Sequence, residues 1–313
     1  MNNEVLKLGT RGSPLALWQA EWIQQALAAV NPELETEISI IKTSAENFPE
    51  QEIPLIGTGV FSREIDEALL SGKIDAAVHS LKDLPSDYPP ELEIIAVPQR
   101  ESALDAFVSA DGRCLGELEP GARIGTGSPR RKAQLLSWRP DLEIIPLRGN
   151  VNTRLEKISR EQLAGTVLAH AGLRRLGKEE LVTELVDTSI ILPAVGQGAL
   201  AVVMRKDDGS CRPELLALND RDSYEITQAE RSFLRRLRGG CQVAAGALAR
   251  IEAAEDNLLH IEGVLASEDG STCLRASRSG PRGEGDRLGT ELADELLQQG
   301  GEELIGNREE PQP

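Results

Sequence analysis

Cysteine, histidine and aromatic residues are all scarce in this sequence of 313 residues. The four cysteines stand at least 30 residues apart, form no Cys-x-x-Cys pair, and are accompanied by only three histidines. This pattern predicts no metal site, and it indicates a reducing environment rather than a disulfide-rich secreted protein. Because aromatic residues make up only 3% of the chain, aliphatic side chains and alanine must fill its cores.

Long apolar runs and a signal-like start are also absent from the sequence. The chain is therefore predicted to have no membrane partner and to work in the cytoplasm. A plastid protein whose transit peptide had been removed would show the same features, so the plastid stroma stays open as an alternative. The formal net charge of -17 argues against nucleic acid or an anionic membrane as a general partner.

One basic segment stands out within this acidic chain. Residues 123–175 contain eleven lysines and arginines against four acidic residues, which leaves a local charge of +7 and a charge of -24 on the remainder. Such a region indicates a local anionic ligand, although a solvated helix surface would contain several of the same residues.

A strand, a glycine turn, a serine and a proline occur twice in the same order, at Gly9–Pro14 and at Gly125–Pro129. In each copy the serine suits the N-cap of a helix and the proline suits its first position. The repetition suggests two domains of like construction, each presenting a helix start to the same cleft. The predicted buried stripe of the first helix consists of Leu15, Trp18, Trp22 and Ile23.

The order of predicted strands and helices indicates an α/β protein with two similar doubly wound domains and a C-terminal α+β domain with a small antiparallel sheet. The first α/β domain is predicted to be discontinuous, because residues 190–200 read as a segment that returns to it. The predicted bounds are 1–98 with 193–217 for the first domain, 99–192 for the second, 218–306 for the third, and 307–313 for a frayed tail.

The most informative polar run follows a predicted buried strand over Ala76–Leu81. Ser80, Lys82 and Asp83 fall at its C-terminal end, and ligands of open parallel sheets bind beyond the C-terminal ends of strands. An aspartate there can transfer a proton or balance positive charge on a substrate. The alternative is a turn-initiating aspartate paired with Lys82. His79, within the strand, is predicted to be packed or hydrogen-bonded.

Several arginines follow predicted strand ends. Arg130 and Arg131 occupy the first turn of a predicted helix, where positive charge is disfavoured unless an anion sits on the helix start. If Arg130 and Arg131 converge with the other arginines that follow strand ends, the six side chains together would bind several carboxylates or phosphates bidentately. The alternative is that each arginine lies on a solvated helix surface. The other members are Arg11, Arg148, Arg154 and Arg175.

Cys241 follows a predicted amphipathic helix and two glycines, Gly239 and Gly240. The glycines leave the thiol uncovered, and nearby arginines favour its thiolate, which would suit a reactive or modified cysteine. The alternative is a small buried cysteine beside a helix C-cap.

Taken together, these residues resemble the porphobilinogen deaminase (hydroxymethylbilane synthase) family over nearly the whole chain. The resemblance implies two lobes like those of type II periplasmic binding proteins. It also implies condensation of four porphobilinogens, with release of ammonia and then of hydroxymethylbilane, in heme or chlorophyll biosynthesis. A monomer that passes its product to the next tetrapyrrole enzyme is expected. The matching motifs are Thr10–Leu17, Val78–Pro85, Leu147–Val151, Leu192–Ala199 and Gly239–Val243.

The resemblance also implies a role for individual residues. Cys241 would carry a dipyrromethane cofactor through a thioether, and Asp83 would contact pyrrole N–H groups and assist proton transfer. The six arginines named above would bind acetate and propionate side chains. Further cofactor or substrate contacts are expected from Ser13, Ser80, Lys82, Thr126, Ser128 and Gln197.

The sequence departs from the family pattern in the predicted lid. Thr58, which precedes Phe61 in that segment, stands where many relatives carry lysine, and Ser44–Glu46 replaces a familiar Gly-Asp. Gly127 and Pro129 also differ from the commoner residues beside the arginine pair. Two other interpretations are a non-catalytic two-lobed anion-binding protein and a hydrolytic Cys241, although the latter lacks a plausible local histidine partner.

Overall fold

The computed structural model describes residues 5–43, 62–209, 211–237, 244–252 and 258–305. Each described helix is too short or too polar to cross a membrane. The strands are β1 (Leu6–Thr10), β2 (Thr36–Ile40), β3 (Ala76–Ser80), β4 (Leu92–Ala96), β5 (Asp105–Ser109), β6 (Arg123–Gly125), β7 (Glu143–Ile145), β8 (Gly165–Ala169), β9 (Glu184–Leu185), β10 (Leu200–Arg205), β11 (Ala244–Glu252), β12 (Leu258–Ala266) and β13 (Cys273–Pro281). The α-helices are α1 (Pro14–Val30), α2 (Arg63–Leu70), α3 (Pro129–Trp138), α4 (Val151–Arg160), α5 (His170–Arg175), α6 (Arg212–Ala217), α7 (Arg221–Arg236), α8 (Gly285–Leu296) and α9 (Glu302–Ile305).

The first sheet has the strand order β2-β1-β3-β10-β4. Strands β1, β2 and β3 pair in parallel, whereas β10 is antiparallel to both of its neighbours. Alternate residues of β3 face different cores: Val78 packs in a cluster with Ile23 of α1, and Ala77 packs in a cluster with Leu69 of α2. Both faces of the sheet are therefore covered, which explains why four of the five residues of β3 are buried.

The second sheet has the order β7-β6-β8-β5-β9, with β6 parallel to both β7 and β8. Its core surrounds Phe107, Ile124 and Val167. Gly165 lies against the Phe107 ring, and a Cβ at this position would overlap it. Two sheets of this kind confirm the prediction of two similar α/β parts.

The third sheet, β11-β12-β13, is antiparallel throughout. Phe233 of α7 and Leu292 of α8 are fully buried in the core next to it. The hairpin between β12 and β13 turns at Asp269-Gly270, a pair typical of such turns, with Gly270 at φ 72° and the Ser267 N–H donating to the Thr272 carbonyl at 2.9 Å. This confirms the predicted C-terminal α+β part.

Both copies of the repeated turn have the predicted capping. The Ser13 side chain accepts a hydrogen bond from the Ala16 N–H, the Ser128 side chain accepts one from the Arg131 N–H, and a proline begins each helix. The predicted buried stripe of α1 is right for Ile23 and wrong for Trp22, which is 36% exposed. The stripe instead follows Ala20, Ile23 and Leu27, because the i, i+3, i+7 spacing faces the sheet.

By its contacts the chain forms two compact units. Unit 1 consists of Met1–Ala103, Ala169–Glu180 and Gly196–Tyr224, and it contains the first sheet. Unit 2 consists of Leu104–Leu168, Leu181–Val195 and Glu225–Pro313, and it contains the third sheet and nearly all of the second. The predicted division into three domains stays a prediction.

Candidate active site

A cavity of unit 1 lies where β1 and β3 end and α1 begins. Because the two strands are parallel, their carboxyl ends meet at one edge, which brings Arg11 and Ser13 close to Ser80 and Asp83. The four side chains line the same cavity. Gln19 of α1 donates a hydrogen bond from Nε2 to Ser80 Oγ at 2.8 Å and so holds that hydroxyl in place.

Asp83 ends a single 3-10 turn that follows β3, and its side chain is exposed. Its carboxylate forms no hydrogen bond or ion pair with any residue that the structure describes. Lys82 points elsewhere, because its Nζ lies 3.4 Å from Oε1 of Gln197. The alternative of an Asp83–Lys82 pair is therefore wrong, and the carboxylate is available to a ligand.

His79 is buried beside this cavity, as predicted for a packed histidine. Burial, together with the positive charge of Arg11, lowers the pKa of His79 to about 4. The imidazole is consequently neutral near pH 7. Its Nε2 atom has no hydrogen-bond partner within the described part of the chain.

In unit 2 the paired arginines of α3 enclose a buried carboxylate, Asp105. Arg131 donates to Asp105 Oδ1 from Nε at 2.9 Å and from Nη2 at 2.6 Å, and Arg130 Nη1 donates to Oδ2 at 2.8 Å. Burial raises the pKa of Asp105, but the two guanidinium charges outweigh it and hold the pKa far below its usual value. The Asp105 carboxylate of the protein itself therefore supplies part of the negative charge that was expected at the start of α3.

The guanidinium groups of Arg130 and Arg131 differ in how many of their nitrogen atoms remain available to a ligand. Arg131 also donates from Nη1 to the Val167 carbonyl at 2.9 Å, so all three of its nitrogens are engaged. Arg130 engages only Nη1, which donates to Asp105 and to the Leu192 carbonyl. Its Nε and Nη2 bond to no described residue, so Arg130 can still bind a carboxylate.

Sequence reasoning missed Asp105. The available signal was one acidic residue at the head of the apolar strand Ala106–Val108, with a pair of arginines about 25 residues later.

The turns before α3 and α4 touch one another. Gly127 lies so close to the Leu147 carbonyl that a Cβ there would be 2.6 Å from its oxygen, and Arg148 Cγ is also near. Thr126 Oγ1 accepts the Ser128 N–H at 3.2 Å, and Arg154 Nε donates to the Gly149 carbonyl at 2.8 Å. Unit 2 thus brings together two of the predicted arginine-bearing turns.

Arg175, also in unit 1, does not line the Asp83 cavity. It lines a different one with Trp18, whose ring centroid lies 5.8 Å from the guanidinium carbon. Burial lowers the pKa of Arg175 to about 10. The predicted cluster of six arginines is therefore not a single pocket within either unit.

Three predicted residues, Thr58, Phe61 and Cys241, lie outside the described residues. β11 begins three residues after Cys241, at Ala244, which packs with Ala133 of α3. No group of three or more histidine, cysteine or acidic side chains suited to a metal occurs in the described ranges.

Comparison with known proteins identifies the family. Residues 6–213 match the family described as "Porphobilinogen deaminase, dipyromethane cofactor binding domain", and residues 224–298 match "Porphobilinogen deaminase, C-terminal domain". A porphobilinogen deaminase of Syntrophomonas wolfei is 45% identical over 96% of this chain and 97% of its own length. One from Syntrophus aciditrophicus is 45% identical over 98% of this chain and 100% of its own. The solved structure of the methionine binding protein MetQ covers 72% of this chain, and 94% of its own, at TM-score 0.43 and 16% identity. The chain belongs to the porphobilinogen deaminase family.

Proposed function

We propose that this chain is a transferase of tetrapyrrole biosynthesis that joins four porphobilinogen molecules head to tail. Ammonia leaves at each addition, and hydrolysis finally releases hydroxymethylbilane. The family supports this activity, because relatives with that name match nearly the whole length. A non-catalytic anion-binding protein is not favoured for the same reason.

The observation that carries the proposal is the exposed carboxylate of Asp83, which has no partner among the described residues and lines a cavity shared with Arg11. A free carboxylate accepts hydrogen bonds from pyrrole N–H groups and takes up or returns a proton as ammonia leaves. The guanidinium of Arg11 forms bidentate bonds with a substrate carboxylate. Ser13 and Ser80 offer hydroxyl groups to the same ligand. The cavity thus recognises both the ring and the acidic side chain of porphobilinogen.

The residues of unit 2 fit a cofactor with acidic side chains, because Arg130 keeps two donor nitrogens available beside β11. In this proposal Arg130, Arg148 and Arg154 bind carboxylates of the dipyrromethane, and Cys241 holds it through a thioether. Arg131 acts mainly by fixing Asp105, which in turn orients Arg130. The dipyrromethane, when bound, supplies the ring to which the first porphobilinogen is joined.

The remaining predicted contacts complete the proposal. Thr126 and Ser128 present polar groups at the start of α3, where N–H groups and the helix dipole favour an anion. Lys82 precedes Asp83 in the chain, and its Nζ lies 3.4 Å from Oε1 of Gln197, so the two side chains form a polar pair. Thr58 and Phe61 belong to a lid in this proposal.

The test of Asp83 compares two conservative variants. Asp83→Asn removes the proton acceptor and is expected to lower turnover about 10²- to 10⁴-fold while leaving the fold and cofactor attachment intact. Asp87→Asn, a change at an exposed aspartate four residues further on, is the matched control. Porphobilinogen consumption measures the rate, and near-normal turnover of Asp83→Asn would show that another group handles the proton.

The test of Cys241 is the mass of the intact, denatured chain. The wild-type protein is expected to be heavier than its sequence mass by one dipyrromethane and to give a colour with an aldehyde reagent for pyrroles. Cys241→Ser should lose both signals, whereas Cys273→Ser, a change at a free cysteine of β13, should keep them. An unmodified wild-type chain with full activity contradicts the covalent mechanism.

The oligomeric state, the cellular compartment and the fate of the product are also part of the proposal. The enzyme acts as a monomer in the cytoplasm, or in the plastid stroma, and passes its product to the next tetrapyrrole enzyme for heme or chlorophyll. The absence of a membrane-spanning helix among the described residues is compatible with this setting. Light scattering should give a single species close to 33.9 kDa. A stable dimer would contradict the monomer.

A further inference from the structure

A buried amide side chain of α3, Gln134, bonds to both backbone groups of one distant residue. Its Oε1 accepts a hydrogen bond from the Leu192 N–H at 2.8 Å, and its Nε2 donates to the Leu192 carbonyl at 3.1 Å. Only 2% of Gln134 is exposed. Because a carbonyl and an N–H of the same residue are both engaged, this side chain holds the backbone at Leu192 much as a neighbouring strand would.

The segment held by Gln134 connects two cores of unit 2 and also contacts β11. Ile191 is fully buried in the core of the second sheet, and Val195 packs in the core beside the third sheet. Between them, the Leu192 and Pro193 carbonyls lie against Gly246 of β11, where a Cβ would be 2.8 Å and 2.7 Å from their oxygens. The position of this segment therefore sets how closely β11 approaches it.

The Leu192 carbonyl also orients Arg130. The Nη1 atom of Arg130 donates to Asp105 Oδ2 at 2.8 Å and to the Leu192 carbonyl at 2.6 Å. A guanidinium is planar, and its N–H groups point in fixed directions. Two acceptors on one nitrogen therefore fix the plane of the Arg130 guanidinium, whereas Asp105 alone would let it turn. The same two acceptors set the direction of Nε and Nη2, which bond to no described residue.

We propose that Gln134 is a positioning residue for Arg130. By holding the Leu192 backbone, Gln134 keeps the Nε–Nη2 edge of Arg130 in a fixed direction relative to β11. This inference rests on the proposed function, in which Arg130 binds a carboxylate of the dipyrromethane and Cys241, three residues before β11, carries that cofactor.

The first test compares Gln134→Met with Ser232→Ala. Methionine keeps the length of glutamine but makes neither bond to Leu192. Ser232 is the matched control, because its buried hydroxyl donates to the Gln228 carbonyl at 3.0 Å on another helix of the same unit. Both changes remove buried hydrogen bonds and should lower stability, so denaturant unfolding alone does not separate them.

Cofactor loading and turnover do separate the two variants. Intact mass gives the fraction of chains that carry a dipyrromethane, and porphobilinogen consumption gives the turnover of each loaded chain. Gln134→Met should have a lower loaded fraction and about two- to tenfold lower turnover per loaded chain, the effect of one lost positioning bond. Ser232→Ala should match the wild type in both measurements. Equal values for the two variants overturn the proposal.

The second test asks whether Gln134 acts through Arg130. In an Arg130→Lys background there is no guanidinium plane to orient, so Gln134→Met should change loading and turnover less than twofold, about the limit for residues that do not interact. The same fold-change in both backgrounds overturns the proposal. A wild-type chain without dipyrromethane would overturn the proposed function as well, whereas normal loading and turnover of both wild type and Gln134→Met would overturn this inference alone.

A further variant reaches the same segment from β11 in case Gln134→Met does not fold. Gly246→Ala places a Cβ against the Leu192 and Pro193 carbonyls and should lower cofactor loading. Gly280→Ala is its control, since a Cβ there meets only the Leu288 side chain, at 3.0 Å, in the third sheet's core. Equal loading of the two glycine variants overturns the proposal.

Discussion

Asp83 and Asp105 each lie close to a turn that begins a helix with a capping serine, but their surroundings differ. Asp105 is fully buried between Arg130 and Arg131, and its charge is balanced within the protein. Asp83 is exposed and has no partner among the described residues. The comparison teaches that pairing and exposure, rather than residue type, separate a carboxylate that maintains structure from one available for chemistry.

The largest effect on stability is expected from Asp105→Asn. The substitution leaves two buried guanidinium charges without their counterion, which typically costs about 3–5 kcal/mol of unfolding free energy. Denaturant unfolding measures the loss. Asp111→Asn, a change at an exposed aspartate just after the same strand, is the control and should leave the midpoint unchanged. Asp83→Asn should also leave the denaturant midpoint unchanged. An equal loss in all three variants would show that Asp105 contributes no more to stability than the two exposed aspartates.

Acid should reveal the contribution of Asp105 to stability. Because the folded-state pKa of Asp105 is depressed, its stabilising contribution is complete above its unfolded pKa, near 3.9, and is lost as pH falls through the folded value. The wild type is therefore expected to lose more unfolding free energy than Asp105→Asn as pH falls below about 4. Denaturant midpoints between pH 5 and pH 3 measure this difference. Parallel curves for the two proteins would contradict the role of Asp105.

A smaller effect should distinguish the two arginines of α3. Arg131→Lys cannot reproduce bonds made by three nitrogens and should cost about 1.5–3 kcal/mol of unfolding free energy. Arg130 bonds through a single nitrogen, so Arg130→Lys should cost less stability. Intact mass should nevertheless show poorer cofactor attachment in Arg130→Lys, because its open edge is lost. The reverse order in either measurement would contradict the assignment of roles.

The smallest effects are expected at the two helix caps. Ser13→Ala and Ser128→Ala each remove one capping hydrogen bond and should each cost about 1 kcal/mol of unfolding free energy. Ser159→Ala, a change at an exposed position of α4, is the control. Similar losses at both caps would support the like construction of the two turns, whereas a loss at only one cap would show that the repeat is superficial.

Local features of the fold were predictable from sequence because they depend on neighbouring residues. The serine-proline helix starts, the buried strand β3 and the Asp269-Gly270 hairpin all follow from spacings of a few positions. Ser62 stands at the N-cap position of α2, where a serine is favoured, but its side chain forms no capping bond to the helix backbone. It bonds to the Asp66 carboxyl instead, a competition that spacing alone does not resolve.

By itself the sequence determined the α/β character, the repeated turns, the family motifs and the choice of Asp83. Only the tertiary structure decided which charges meet, because Asp105 is 25 residues from Arg130 along the chain and the Leu192 carbonyl is 62 residues away. Likewise, only the folded chain separated Arg175 from Arg11 and placed it with Trp18. Helix caps and strand periodicity arise from short-range backbone geometry, whereas ion pairs and cavities depend on contacts between distant segments.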